Sequence, residues 1–409
     1  MSLQLIRNLK GVVTPAANLE NGQLQITENA AILIEDGRIA AIGSEEKLTE
    51  NLGEYEVIDG QGCWALPGYV DPHTHPVFFK TREEEFEMRI AGKSYEEIAA
   101  AGGGIRNSVR ALRKASTDEL IELTFRRVRE FIPMGTTTIE AKSGYGLSLE
   151  DELKSLRVIK KVSELLPIDI IPTFLGAHEV PDEYRANREK YIDIIIKEMI
   201  PAVAEEKLAV FCDIFTEKNV FDIAESERIL EAAKAHGLIP KMHADELHPL
   251  GGAELAAKVG AISADHLLQV SGQGIRAMKE AGVVPVLLPG TAFFLGKGKF
   301  APARNMLGEG LPVALATDYN PGSSFTHNMS FIMSLACIYM KMTPAEALWG
   351  ATLNSARALR LEKEVGSLET GKKADVILMD VPNYRYIPYH YAMSHVKVVI
   401  KAGRVIFQK

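Results

Sequence analysis

The sequence predicts an α/β fold, a (β/α)8 TIM-like barrel carrying a small β-sandwich domain built from both chain ends. Three observations predict it. Apolar runs alternate with helix-period segments eight times through the middle of the chain. Histidine or aspartate recurs where those runs end. Both termini carry short alternating strands joined by tight turns. The expected division is a composite β domain over residues 1–68 and 365–409 around a barrel over residues 69–364.

Within residues 1–68 the clearest element is "NAAILIEDGRIAAIG", two alternating runs joined at Glu35-Asp36-Gly37, which reads as a hairpin with an Asp-Gly turn. The eight central runs are, in order, "GYVDPHTH", "TTTIEAKSG", "IDIIPTFLGAH", "LAVFCDIFTE", "GLIPKMHADE", "GAISADH", "VVPVLLPGT" and "LPVALATDYN". Segments such as "SLEDELKSLRVIKKVSELL" and "DIAESERILEAAKAHG" between them repeat at the helical period. An open doubly wound sheet is the structural alternative, but it would not gather so many strand ends around one point. Residues 76–134, between the first two runs, form an insertion long enough for an active-site loop and two helices, with Gly102-Gly103-Gly104 as a hinge or close-packed turn. The C-terminal "KADVILMDV" and "VKVVIKAGRVIFQK", turning at Ala402-Gly403, are expected to pair with the N-terminal strands.

Composition narrows the partners. A chain of 409 residues with 46% hydrophobic content can bury a large core. Its net charge of −8, from 46 Lys+Arg and 54 Asp+Glu, argues against nucleic acid or an anionic membrane as partner and leaves a small-molecule substrate. No apolar stretch reaches the roughly 18 residues of a membrane span. Arg7, Asn8 and Lys10 interrupt any signal-peptide core. Cys63, Cys212 and Cys337 are scattered and odd in number, which suits a reducing cytoplasm and core packing.

Four strand-end peptides carry the chemistry: Asp71-Pro72-His73-Thr74-His75, His243-Ala244-Asp245-Glu246, Asp265-His266 and Thr317-Asp318-Tyr319-Asn320. Side chains alternate along extended backbone, so His73 and His75 face the same side and can hold one ion together. Imidazole nitrogen and carboxylate oxygen suit zinc or iron, and a hydrolytic site keeps one position for water. His73, His75, His243 and Asp318 are the expected ligands. His243 has an alternative reading as a cap for a helix near Leu250, and Asp318 as a cap for the segment after it. His178 and His266 also end strands; substrate contact, support of the site and metal ligation all remain open for them. His236, before Gly237, reads as a helix C-cap, and His248 as a loop residue. Arg82 would be a surface ion-pair member unless a substrate carboxylate engages its planar fork. Tyr145, between Gly144 and Gly146, has a ring available to a ligand.

Read together, "DPHTHPVF", "KSGYGL", "GAHEVP", "HADE", "SADH" and "ATDYNPGSS" closely resemble the imidazolonepropionase family of the amidohydrolase superfamily, in order and spacing over essentially the whole chain. The resemblance implies hydrolysis of the cyclic amide of 4-imidazolone-5-propanoate to N-formimidoyl-L-glutamate in histidine degradation. It implies one Zn(2+) or Fe(3+) per subunit on His73, His75, His243 and Asp318. Arg82, Tyr95, Tyr145, His178, Glu246 and Ser323 are the implied substrate contacts, with Tyr145, Asn320 and Gly322 holding product. Glu246, His266 and Asp318 are the implied proton-handling residues, and His178 is expected to donate a hydrogen bond. Related two-metal hydrolases place a bridging lysine on the fourth strand; "AVFCDIFTE" has none, so a single ion is expected. A homodimer in the cytoplasm is the expected state. A deaminase of the same superfamily is the alternative enzyme. A non-catalytic assembly protein is the alternative from another class, and the retained ligand set argues against it.

Overall fold

The computed structural model describes residues 2–50, 52–93, 97 and 103–409. Eight parallel strands form its centre: β8 (Tyr69–Asp71), β9 (Thr136–Lys142), β10 (Asp169–Ala177), β11 (Phe211–Ile214), β12 (Ile239–Ala244), β13 (Ser263–His266), β14 (Val284–Leu287) and β15 (Ala314–Leu315). They neighbour one another in sequence order, and these are the eight runs expected from the sequence. Helices cover the outer face, so most of these strands are buried along their whole length. The covering helices start where side-chain oxygens meet backbone N–H groups. Ser148 caps Leu149–Leu165, Asp222 and Glu225 form a capping box on Ile223–Ala235, and Ser271 caps Gly272–Ala281.

Strand pairing alone leaves the sheet open between β15 and β8. The gap closes just beyond both strands. Thr74 bridges Tyr319 in parallel, His75 N–H donates to the Tyr319 carbonyl at 2.8 Å, and Asp318 N–H donates to that of His73 at 3.1 Å. Lower down, buried Asp71 accepts from the Thr317 N–H at 3.1 Å and its hydroxyl at 2.5 Å. Burial lifts the Asp71 carboxyl to about 7.

The chain ends build two further sheets. One runs β5 (Arg38–Gly43), β4 (Ala31–Glu35), β1 (Leu3–Arg7), β6 (Glu56–Asp59). The other runs β18 (Arg404–Gln408), β17 (Val396–Lys401), β16 (Val376–Met379), β7 (Trp64–Pro67), β2 (Gly11–Thr14), β3 (Gln25–Glu28). The termini therefore pair as expected, through β7 and β16 with Leu66 opposite Ile377. Ile32, Ile34, Val12, Ala65, Val398 and Ile400 are among the apolar side chains packed in one cluster between the sheets. Both expected hairpin turns have positive φ at both turn residues, Asp36 (48°) with Gly37 (78°) and Ala402 (46°) with Gly403 (79°). That twist matches the flanking strands.

This sandwich sits against the N-terminal ends of β8, β9 and β10. Lys401 bridges Asp169, at the start of β10, and Asp375 at 2.7 and 2.6 Å, and Lys373 reaches Asp169 at 2.9 Å. Gly135 enters β9 at φ 93°, where a Cβ would lie 3.1 Å from Val396 and 3.3 Å from Ile377. The opposite, C-terminal mouth is left to the site residues. Beside it the insertion contributes three helices among the described residues, Glu83–Ile90, Ile105–Lys114 and Thr117–Arg129, one more than expected. The extra one is Glu83–Ile90, a short, glutamate-rich segment with a weak apolar stripe. Tyr95 and Gly102 lie outside the described residues; Gly104 has φ 82° and donates its N–H to Glu85 at 3.1 Å.

Lys401→Met leaves the buried Asp375 carboxylate without its cation and should destabilise the protein by about 3 kcal/mol at pH 7, read by chemical denaturation. Burial pushes the Asp169 carboxyl up, but Lys401 and Lys373 outweigh it and hold the group below its ordinary value. A depressed carboxyl contributes stability above its unfolded pKa of about 3.9 and loses it as pH falls through the folded value. Burial already holds the Asp375 carboxyl above its ordinary value and Lys401 is what opposes that rise, so the gap between parent and variant should begin to narrow above pH 4 and narrow further below it. A gap that stays constant to pH 3 would mean that packing of the lysine stem, not charge, carries the effect.

Candidate metal centre at the barrel mouth

β8 ends at Asp71, so His73 and His75 lie in the segment beyond it. That segment stays extended because both its edges are held. Thr74 accepts from the Lys142 N–H at 2.9 Å, while the contacts to Asp318 and Tyr319 hold the other side. The alternation predicted for a strand therefore persists, and the Nε2 atoms of His73 and His75 approach to 3.1 Å. Asp318 Oδ1 lies 3.5 and 3.6 Å from them. His243 packs edge-on to His73, with ring centroids 4.5 Å apart. His73, His75 and His243 offer nitrogens within 4.8 Å of one another, and His73, His266 and Asp318 form a second such group. All five are buried.

Carboxylates behind the rings fix their tautomers. Asp265 Oδ2 lies 2.6 Å from His73 Nδ1, and Asp213 Oδ2 lies 3.1 Å from His243 Nδ1. A carboxylate accepts, so each Nδ1 carries the proton and each Nε2 presents a lone pair. Burial, then Lys142 and neighbouring imidazoles, hold His73 well below its ordinary value. Burial, then His178 and His243, do the same for His75. Burial also pushes His243 down, but Asp213 outweighs it and leaves that ring raised. Imidazole lone pairs and a carboxylate oxygen thus converge on one point where they would otherwise repel. That donor set fits an ion of the zinc or iron type. Asp245, His266, Leu267 and Asp318 have φ of 49°, 75°, 59° and 52°, so these strand ends carry left-handed backbone at non-glycine residues.

The expected substrate residues surround this point unevenly. Tyr145 is 4% exposed and lies 5.4 Å from the His178 ring and 6.2 Å from that of His75, centroid to centroid. His178 stacks on His75 at 5.2 Å. Its Nδ1 donates to the Gly144 carbonyl at 2.9 Å, and burial, then His243, bring it down to about 3. With Nδ1 protonated, a neutral His178 offers Nε2 as an acceptor, where a donor was expected. Gly144 has φ 107°, and a Cβ there would lie 2.9 Å from His178. Buried Glu152 holds this loop by accepting the N–H groups of Gly144, Gly146 and Leu147.

Arg82 forms a two-pronged contact with Glu85, at 2.9 Å from Nε and 2.5 Å from the terminal nitrogen. Its other terminal nitrogen lies 2.3 Å from where a Gly322 Cβ would be, so a side chain there would displace the guanidinium from this position. Asn320 shapes the loop itself, accepting from Gly322 and Ser323 N–H groups at 2.8 Å each and donating to the Asp318 carbonyl at 2.6 Å. Glu246 lies 3.7 Å from His266 Nε2 and 3.8 Å from Lys297 Nζ. His236 occupies a helix C-cap, and His248 bonds to buried Glu217 at 2.7 Å, the helix-end and loop roles expected of them. The helix N-terminus after β12 is capped by Asp245, which accepts four backbone N–H groups, so His243 has no capping role.

Sequence reading missed the charged layer beneath the histidines: Glu140, Lys142, Asp213, Lys241 and the supporting role of Asp265. Its signal was present, because charged residues inside otherwise apolar barrel strands need buried partners. Burial opposes the Lys142 charge, yet Asp213, Glu140 and Asp265 outweigh it and raise its pKa.

The sequence profile of the amidohydrolase family matches residues 64–406. The imidazolonepropionase of Geobacillus sp. (strain WCH70) is 50% identical over 412 residues, covering 98% of this chain and 97% of its own. Among solved structures, E. coli guanine deaminase superposes with a TM-score of 0.77 at 14% identity, with 100% of both chains covered. An adenosine deaminase from Xanthomonas campestris with bound Zn gives 0.72 at 18%, covering 98% of this chain and 92% of that one. The two deaminases share the fold at identities too low to carry an activity, whereas half of all positions are shared with the Geobacillus relative along nearly its full length. The chain belongs to the amidohydrolase family and, within it, to the imidazolonepropionases.

Proposed function

We propose that the chain hydrolyses the cyclic amide of 4-imidazolone-5-propanoate to N-formimidoyl-L-glutamate, a step of histidine degradation, with one zinc or iron ion per subunit held by His73, His75, His243 and Asp318. The observation that carries this reading is the 3.1 Å approach of the His73 and His75 Nε2 atoms, with Asp265 behind His73, at the mouth of a barrel half-identical to imidazolonepropionases. A bound ion of this kind polarises a carbonyl and lowers the pKa of water towards ~7.

The protein residues do the rest. Arg82 exchanges its Glu85 partner for the propanoate carboxylate, a planar and charge-assisted contact. Tyr145 offers a ring face to the flat heterocycle, and His178 Nε2 accepts a ring N–H. Ser323, placed by Asn320, and the backbone at Gly322 complete the carboxylate side; Tyr95 is the remaining proposed contact. Asp318, whose carboxyl burial raises, takes a proton from the attacking water, with His266 orienting that water. Glu246 delivers a proton to the leaving ring nitrogen as the amide bond breaks. The division into a composite β domain (1–68, 365–409) and a barrel (69–364) belongs to the same reading, supported by the interleaved terminal sheet. A cytoplasmic homodimer completes it, supported by the exposed Tyr389, Tyr391 and Met393 beside the helix Met329–Met340.

Freshly generated 4-imidazolone-5-propanoate should lose its imidazolone absorbance on addition of the protein, forming N-formimidoyl-L-glutamate without stoichiometric ammonia. Ammonia released from a purine or pyrimidine, with the imidazolone untouched, would move the assignment to a deaminase. Elemental analysis should find about one tightly bound ion per chain, lost together with turnover in His243→Ala while the far-UV spectrum persists; two tightly bound ions would overturn the single-ion assignment. Arg82→Met should weaken apparent substrate binding by about 2–4 kcal/mol at unchanged metal content. Parental kcat/KM in that variant would place Arg82 outside the site.

A further inference from the structure

Beneath the histidines the barrel interior encloses two ammonium groups and three carboxylates, Lys142, Lys241, Glu140, Asp213 and Asp265, each with no exposed surface. Lys142 rises from the end of β9. Its Nζ donates to Asp213 Oδ2 at 2.6 Å and to Glu140 Oε1 at 2.9 Å, and Asp265 Oδ2 lies 3.8 Å away. The same two aspartates back the imidazoles of the site: Asp213 meets His243 Nδ1, and Asp265 meets His73 Nδ1. Each aspartate is pinned on a second side, Asp213 Oδ1 by the Ile214 N–H at 2.7 Å and Asp265 Oδ1 by the Ser263 hydroxyl at 2.6 Å. One ammonium therefore stands between the supports of two histidines that come from different strands. Buried carboxylates without a nearby cation repel one another and turn away, carrying their partners with them.

We propose that Lys142 is a positioning residue of the metal centre: its ammonium counter-charges and aims Asp213 and Asp265 together, which holds the His243 and His73 rings with Nε2 towards one common point. The inference rests on the metal reading above. Lys241 does a different job, reaching Glu140 at 3.3 Å and the Pro72 carbonyl at 3.1 Å. Glu140 contacts Lys142 and the Thr173 hydroxyl but neither histidine, which makes it the internal control.

The test is Co(II) affinity, measured by competition with a chromophoric chelator on metal-stripped protein, with thermal unfolding of each stripped protein alongside. Lys142→Met should weaken Co(II) binding 10–100-fold, the range for removing support behind a ligating histidine. Glu140→Gln should bind Co(II) within threefold of the parent even where its thermal midpoint falls. The double variant Glu140→Gln/Lys142→Met keeps the net charge of the layer and both aspartates, so it reads the same loss should Lys142→Met alone not fold. Parental Co(II) affinity in either folded variant lacking Lys142 would overturn the proposal, as would an equal loss in Glu140→Gln, which would mark the effect as general destabilisation. A parent that binds no Co(II) would instead remove the metal reading itself.

Discussion

The closure of the barrel between its last and first strands is the constraint on which the rest of the site depends. β15 spans only Ala314–Leu315, too short to zip the sheet shut by ordinary pairing with β8. The chain closes the gap in the segments beyond, where His73 and His75 meet Asp318 and Tyr319 backbone to backbone, and below them where Asp71 grips Thr317. Those hydrogen bonds do two things at once. They complete the cylinder, and they hold three donor-bearing residues, His73, His75 and Asp318, in register across its seam. Register along extended backbone flips every side chain when it slips by one, so a seam placed anywhere else would leave the donors free to face away.

Much of this was legible in the sequence because it rests on local rules. Period-two alternation put His73 and His75 on one side, and Asp-Gly and Ala-Gly turns marked the hairpins. The recurrence of chemistry-bearing residues at run ends pointed to one mouth. What escaped was non-local. Nothing near Asp213 indicates that it backs His243, because the two are 30 residues apart and meet only when β11 lies beside β12. The direction of His178 was misread for a similar reason: its role is set by the carbonyl of Gly144, a backbone atom with no signature in sequence. The helix Glu83–Ile90 was missed because it is polar on most of its surface, and its burial is confined to Glu85.

The barrel itself does not select the reaction. Deaminases at 14–18% identity share this architecture over nearly all of both chains. The residues proposed to distinguish this chain's chemistry lie on the rim: the loop that Glu152 tethers, the loop that Asn320 folds, and the arginine beside Gly322. Each is a short, strained or glycine-dependent connection fixed to a rigid strand end, which is where function changes most readily without disturbing a core.

The interleaved terminal sheet has a consequence for how the molecule is made. β7 leaves the ribosome well before its partner β16, which begins at Val376, more than 300 residues later. At ordinary synthesis rates that delay is on the order of 15–60 s, far longer than hairpin formation. During it the apolar strand β7, which has β2 on one side, has no β16 to pair with on the other, while the barrel strands that follow can already assemble in order. The segment from Val376 onward thus acts as a clasp, and a nascent chain halted before it would leave the β7 edge unpaired and open to pairing with another chain.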